Sequence, residues 1–270
     1  MPIDDARFAQ AVRALTAARM GTELVGPLLA ALVRSTRPEL VLEVGSGSTS
    51  LHLLRALADN AEAVAAEARL MAAKQEHFDP AWNDEAVARQ HSSEVLRWLE
   101  AAPSLGRPEY YATAHRPRLI SVDLHSSPFS SSQRVARAVE ELGLAGWYQP
   151  RDRDFRDVAQ VLDADDVVDF AWFDCGGYQE YRDFVDLYWD RVRPDGGVLV
   201  LHYTLTVPNH ERVLTELAAQ QGSPARGSFE MLSLLEPHKL MQNSLTMIRR
   251  CEGSPPRYPL TRPISLEKSV

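Results

Sequence analysis

Val41-Leu42-Glu43-Val44-Gly45-Ser46-Gly47-Ser48-Thr49-Ser50 is the stretch from which the fold of this chain can be read. A short apolar run closes on a carboxylate, two glycines flank a serine, and hydroxyl residues suited to opening a helix follow. The pattern predicts strand, tight turn, helix. Glycines let the backbone turn sharply and let a ligand approach without a Cβ in the way. The free N–H groups of the next helix would face that ligand. A dinucleotide fingerprint needs a third glycine where Ser50 stands. Glu43, two positions before Gly45, would also repel a pyrophosphate and suits instead the cationic end of a zwitterion.

Working outward, Phe8, Val12 and Leu15 recur with helical spacing, and Pro27 suits the first turn of a second helix that ends at Arg37-Pro38. Leu40 to Val44 is strand one. Further strands are expected at 118–123, 147–150, 167–174 and 198–201, with helices between them and β runs at 229–235 and 244–248 closing the domain. This alternation predicts an α/β fold: a Rossmann-like, mostly parallel seven-stranded sheet, helices on both faces and a C-terminal antiparallel hairpin. Residues 1–38 read as an N-terminal helical segment, 39–250 as the main domain and 251–270 as an irregular tail. Residues 60–116 lack a convincing strand and read as a helical insertion. Its aromatic residues (Phe78, Trp82, Trp98, Tyr110, Tyr111) suit a cap over a substrate cavity or a dimer surface, or belong to a peripheral decoration.

With 270 residues, 45% of them hydrophobic and 24% charged, the chain can bury the core of one large α/β domain. A net charge of −8 without a basic cluster disfavours nucleic acid and anionic membranes as partners. Cys175 and Cys251 are too few for a disulfide framework or a thiolate metal site. No run reaches membrane-spanning length and no signal-type leader is visible, so a cytoplasmic location is expected.

Four segments fall in an order similar to that of catechol O-methyltransferase-like class I S-adenosylmethionine (SAM) methyltransferases. They are the glycine turn, Ile120-Ser121-Val122-Asp123, Asp169-Phe170-Ala171-Trp172-Phe173-Asp174, and the strand after Arg193-Pro194-Asp195-Gly196-Gly197. The resemblance implies SAM as cofactor and methyl transfer to a small molecule, on oxygen or nitrogen. By it, Glu43, Gly45, Ser46, Gly47 and Ser50 border the methionine moiety. Asp123, followed by Leu124, takes the ribose hydroxyls, since a carboxylate can accept two hydrogen bonds; its other reading is a solvent-facing strand end. Asp154 and Phe155 fall where the family places adenine, within a loop whose mixed charge also reads as a solvated surface.

Asp174 falls where the metal-dependent branch of that family keeps one ligand, and it also borders the cofactor. The second ligand position holds His202-Tyr203, a poor donor set for magnesium, which requires oxygen. The expectation is therefore no metal, with His202 as general base at the ligand edge of the sheet, against a core histidine as the plain alternative. Tyr178, in a glycine loop near the same rim, would orient an acceptor or simply pack. Cleavage of another sulfonium bond, and an idle SAM-binding protein, stay open beside methyl transfer, and so does a homodimer.

Overall fold

A computed structural model describes residues 5–17, 21–77, 93–104, 106–206 and 208–252. Phe78, Trp82 and the tail beyond 252 lie outside the described residues. Contacts divide the described residues into two units, 5–60 with 117–252, and 61–116.

The larger unit contains α1 (Asp5–Leu15), α2 (Val25–Thr36), β1 (Leu40–Val44) and the opening turns of α3 (Ser48–His77). α4 (Ser93–Glu100) and α5 (Pro108–Tyr111) belong to the smaller unit. The larger resumes with β2 (Arg118–Val122), α6 (Ser132–Glu141), β3 (Tyr148–Arg151), α7 (Val158–Val161), β4 (Phe170–Phe173) and α8 (Tyr178–Tyr188). It ends with β5 (Asp195–His202), α9 (Pro208–Ala218), β6 (Phe229–Leu235) and β7 (Ser244–Cys251). One seven-stranded sheet runs in the order β3-β2-β1-β4-β5-β7-β6, parallel except where β7 pairs antiparallel with β5 and β6. The expected architecture is therefore present.

β1 is buried at all five positions, as a central parallel strand covered on both faces should be. Leu40, Leu42 and Val44 face a core completed by Tyr181, Phe184 and Tyr188 of α8. Val41 faces the other core, with Leu29 and Val33 of α2, Leu51 and Leu54 of α3, and Val135 and Val139 of α6. The period of two along β1 puts Glu43 on that same second side, a charge among apolar neighbours.

Several boundaries differ from expectation. α2 starts at Val25, so Pro27 is its third residue, still inside the turn whose N–H groups lack helical acceptors. Trp147 ends a 3₁₀ turn (Ala145–Trp147) instead of opening β3. The fourth strand narrows to Phe170–Phe173, with Val168 making one isolated bridge to Val192. α3 passes residue 60 as one continuous helix.

Within the smaller unit, Lys74 on α3 donates to the carbonyls of Ala101 and Pro103, both at 2.9 Å, with its ammonium 4.5 Å from the Trp98 ring centroid. The Tyr111 hydroxyl donates to Glu67 at 2.8 Å. Among the described residues, no helix is long and apolar enough to cross a membrane.

Candidate active site

The strand order reverses between β1 and β4, and the carboxyl ends of those strands carry the principal cavity, the usual ligand edge of an open α/β sheet. Its volume is about 660 Å³. Gly45, Ser46, Gly47, Ser48 and Thr49 form its floor, with Asp123 and Asp174 at the ends of the neighbouring strands. A smaller cavity of about 180 Å³ shares Gly45 and Asp123 and continues past Leu124, Asp154 and Phe155.

Gly45 has φ +97, a conformation L side chains rarely adopt, and a Cβ there would lie 2.5 Å from the Asp174 carbonyl oxygen. The glycine lets β1 and β4 end side by side. Nothing lies within 4 Å of where a Cβ on Gly47 would point, which leaves that face of the turn open. This cradle fits a ligand that approaches main chain closely.

Glu43 is not where its charge suggests. It is wholly buried and lines neither cavity. Thr49 Oγ1 donates to one carboxylate oxygen at 2.9 Å, and Ser50 Oγ at 2.6 Å and Ser121 Oγ at 2.8 Å share the other. Burial raises its pKa to about 7, against the pull of the Ser50, Ser121 and Thr49 hydroxyls and with a smaller push from Asp174. Ser50 is likewise enclosed, accepting from the Gly47 N–H at 3.0 Å. Both brace the turn from beneath, and neither lines a cavity wall. Ser46 does line the larger cavity and is 2.8 Å from the Ser121 hydroxyl. Ser121 was missed by sequence reasoning, because its place opposite Glu43 comes only from the pairing of β1 with β2.

Asp123 lies where expected, at the rim of both cavities. One oxygen accepts from the Ser130 hydroxyl at 2.8 Å. Partial burial raises its pKa, opposed by that hydroxyl and by the N–H groups of Ser46, Leu124 and Ser131. Asp154 turns one oxygen to the Arg156 N–H at 2.9 Å, and the buried Phe155 packs against Phe173. His125, two residues past Asp123, lines neither cavity; its main-chain N–H donates to Asp152.

The catalytic candidates separate. Asp174 lines the larger cavity and accepts from, or donates to, His202 Nδ1 at 2.8 Å. His202 has no exposed surface and its Nε2 has no partner among the described residues. The proton then belongs on Nδ1, donated to the carboxylate. His202 thus stands behind Asp174, and direct contact with a substrate, expected from sequence, is not what its burial provides. Tyr178 is absent from the cavity wall because its hydroxyl donates to both Glu216 oxygens, at 2.8 and 2.9 Å. Tyr203 lines the cavity with its hydroxyl bound to the Gly176 carbonyl at 2.8 Å. Among the described residues, no three His, Cys, Asp or Glu side chains are grouped to hold a metal ion.

Far-separated segments complete the wall: Leu15 and Thr22 from the start of the chain, Gln242 from the β6–β7 connection, and Phe129 and Arg134 near α6. Lys239 in that connection donates to the Gly21 carbonyl at 2.6 Å and to Glu236 at 2.8 Å, pinning the N-terminal segment beside it.

A family model described as a methyltransferase domain matches residues 94–203. No curated protein sequence matches the chain. Among solved structures, cofactor-bound Rv0187 from MTB superposes with a TM-score of 0.58, at 12% identity over 93% of this chain and 92% of that one. An O-methyltransferase from Bacillus cereus in complex with SAH gives 0.54, at 14% identity over 93% and 92%. TomG, an O-methyltransferase from Streptomyces achromogenes involved in tomaymycin synthesis and solved with SAM, gives 0.53, at 16% identity over 92% and 91%. At these identities the likeness is one of fold. The fold and the domain match are those of a class I methyltransferase.

Proposed function

We propose that the chain transfers a methyl group from SAM to an oxygen or nitrogen of a small-molecule acceptor without a metal ion. The observation that carries this reading is one continuous rim. A glycine cradle open at Gly47, a ribose-type carboxylate at Asp123 and a second carboxylate at Asp174 ring the same cavity. Its volume of about 660 Å³ is in the range of small-molecule sites.

Bound SAM supplies an electrophilic methyl group on a sulfonium. The chain supplies everything around it. Asp123 accepts from a ribose diol, and the smaller cavity between Asp154 and Phe155 takes the base. Gly45 and Gly47 let the amino-acid portion pass close to main chain. Proton removal falls to Asp174, the carboxylate at the cavity wall, with His202 donating to Oδ1 from behind and fixing its orientation. The histidine keeps a part in the proton step, but as a positioning group. Metal independence rests on the donor set: Asp174 is paired with His202, and the Tyr203 hydroxyl is spent on a carbonyl. The insertion is assigned acceptor selection or self-association.

Calorimetric titration with SAM and S-adenosylhomocysteine (SAH) tests the reading. Wild type should bind both, and Asp123→Ala should bind them about 10- to 100-fold more weakly, from the loss of one or two charge-assisted hydrogen bonds. No binding to wild type, or equal binding after the substitution, removes the reading.

A further inference from the structure

We propose that Glu43, sealed beneath the glycine turn, gives up its proton when a sulfonium-bearing donor occupies the cavity and keeps it when the neutral thioether product does. The site would thereby distinguish donor from product by charge. The inference rests on the SAM reading above and concerns this chain's own carboxyl group.

The hydroxyl cluster is built for two states. Thr49, Ser50 and Ser121 can all donate to a carboxylate, and any one can rotate to accept from a carboxylic acid, because a hydroxyl is both donor and acceptor. A path outward exists as well. Ser121 Oγ lies 2.8 Å from Ser46 Oγ, with either able to donate, and Ser46 is on the cavity wall. A proton leaving the Glu43 O–H bond passes along these two hydroxyls to solvent in the cavity.

The surrounding groups make the balance sensitive. α2 and α6 present apolar residues to this side of β1, including Leu29, Val33, Val135 and Val139, and among the described residues no cation figures in the causes that shift Glu43. The titratable neighbours are Asp174 at the end of β4, which disfavours a second negative charge, and the half-buried Tyr148 of β3. Burial with these neighbours brings the carboxyl to about 7, so a modest external charge tips it. A cation above the turn favours the carboxylate, and an uncharged sulfur does not.

Calorimetry of SAM and SAH binding in two buffers of different ionisation heat counts the protons. At about pH 6.5, wild type should release a measurably larger fraction of a proton with SAM than with SAH. The SAM-to-SAH affinity ratio should rise about tenfold between about pH 6 and pH 8. Both differences should vanish in Glu43→Gln. The ligands' own groups titrate alike against either protein, so the change between proteins belongs to Glu43. Ser121→Ala removes one donor and should move the affinity profile to higher pH. Equal proton counts for the two ligands in wild type overturn the proposal whether or not the variants fold. Failure of both ligands to bind overturns the donor assignment itself, which is a different result.

Discussion

Water solvates a carboxylate well, and burying one is costly unless donors replace that water. Three hydroxyls do so for Glu43, yet its pKa still rises from 4.5 to about 7. Between those values the folded protein holds a proton that the unfolded chain has lost, so stability falls as pH rises through the window. The full penalty, ~3 kcal/mol at ~1.4 kcal/mol per pKa unit, applies above about pH 7. We expect the melting temperature to drop between about pH 5 and pH 8 in wild type. Glu43→Gln should flatten that slope and melt higher at about pH 8; an unchanged slope by calorimetric scanning would contradict the assignment. At this scale the sequence was readable in part. Gly45 announced a turn that only glycine fills, and Asp123 a rim carboxylate. What Glu43 touches was not readable, because Ser121 joins it only through strand pairing 78 residues away.

Elements were more legible than their ends. The 3.6 and 2 periods located helices and strands because each buries one stripe or face, but termini depend on partners that periodicity does not show. Val168 has the composition of strand four and yet makes only a single bridge, with Val192. Tyr178 shows the same limit: it opens α8, and its hydroxyl is fixed by Glu216 on α9, an element 30 residues further on. The bond ties two helices together on the outside of the sheet. Tyr178→Phe should therefore lower the melting temperature modestly and leave kcat and KM unchanged within a factor of about two, since surface pairs contribute little. A tenfold or greater loss of kcat with normal stability would restore Tyr178 to the chemistry.

At the scale of the whole molecule, strand order and cavity agree on one working edge, at the reversal between β1 and β4. If that edge works without a metal, turnover should survive exhaustive treatment with a chelator, and added magnesium should not shift the melting temperature. Loss of turnover that magnesium restores would show that Asp174 recruits oxygen ligands beyond those identified, and His202 would need another role. The parallel core was legible because its motifs are local. The cavity wall was not, since Leu15, Thr22, Phe129 and Gln242 meet only when the sheet is complete. The strap made by Lys239 and the Gly21 carbonyl sets an order of events during synthesis. Residues up to Lys239 must leave the ribosome before this enclosure can close. Strands β1 to β5 emerge before that strap can form, so this part of the wall is the last to be added.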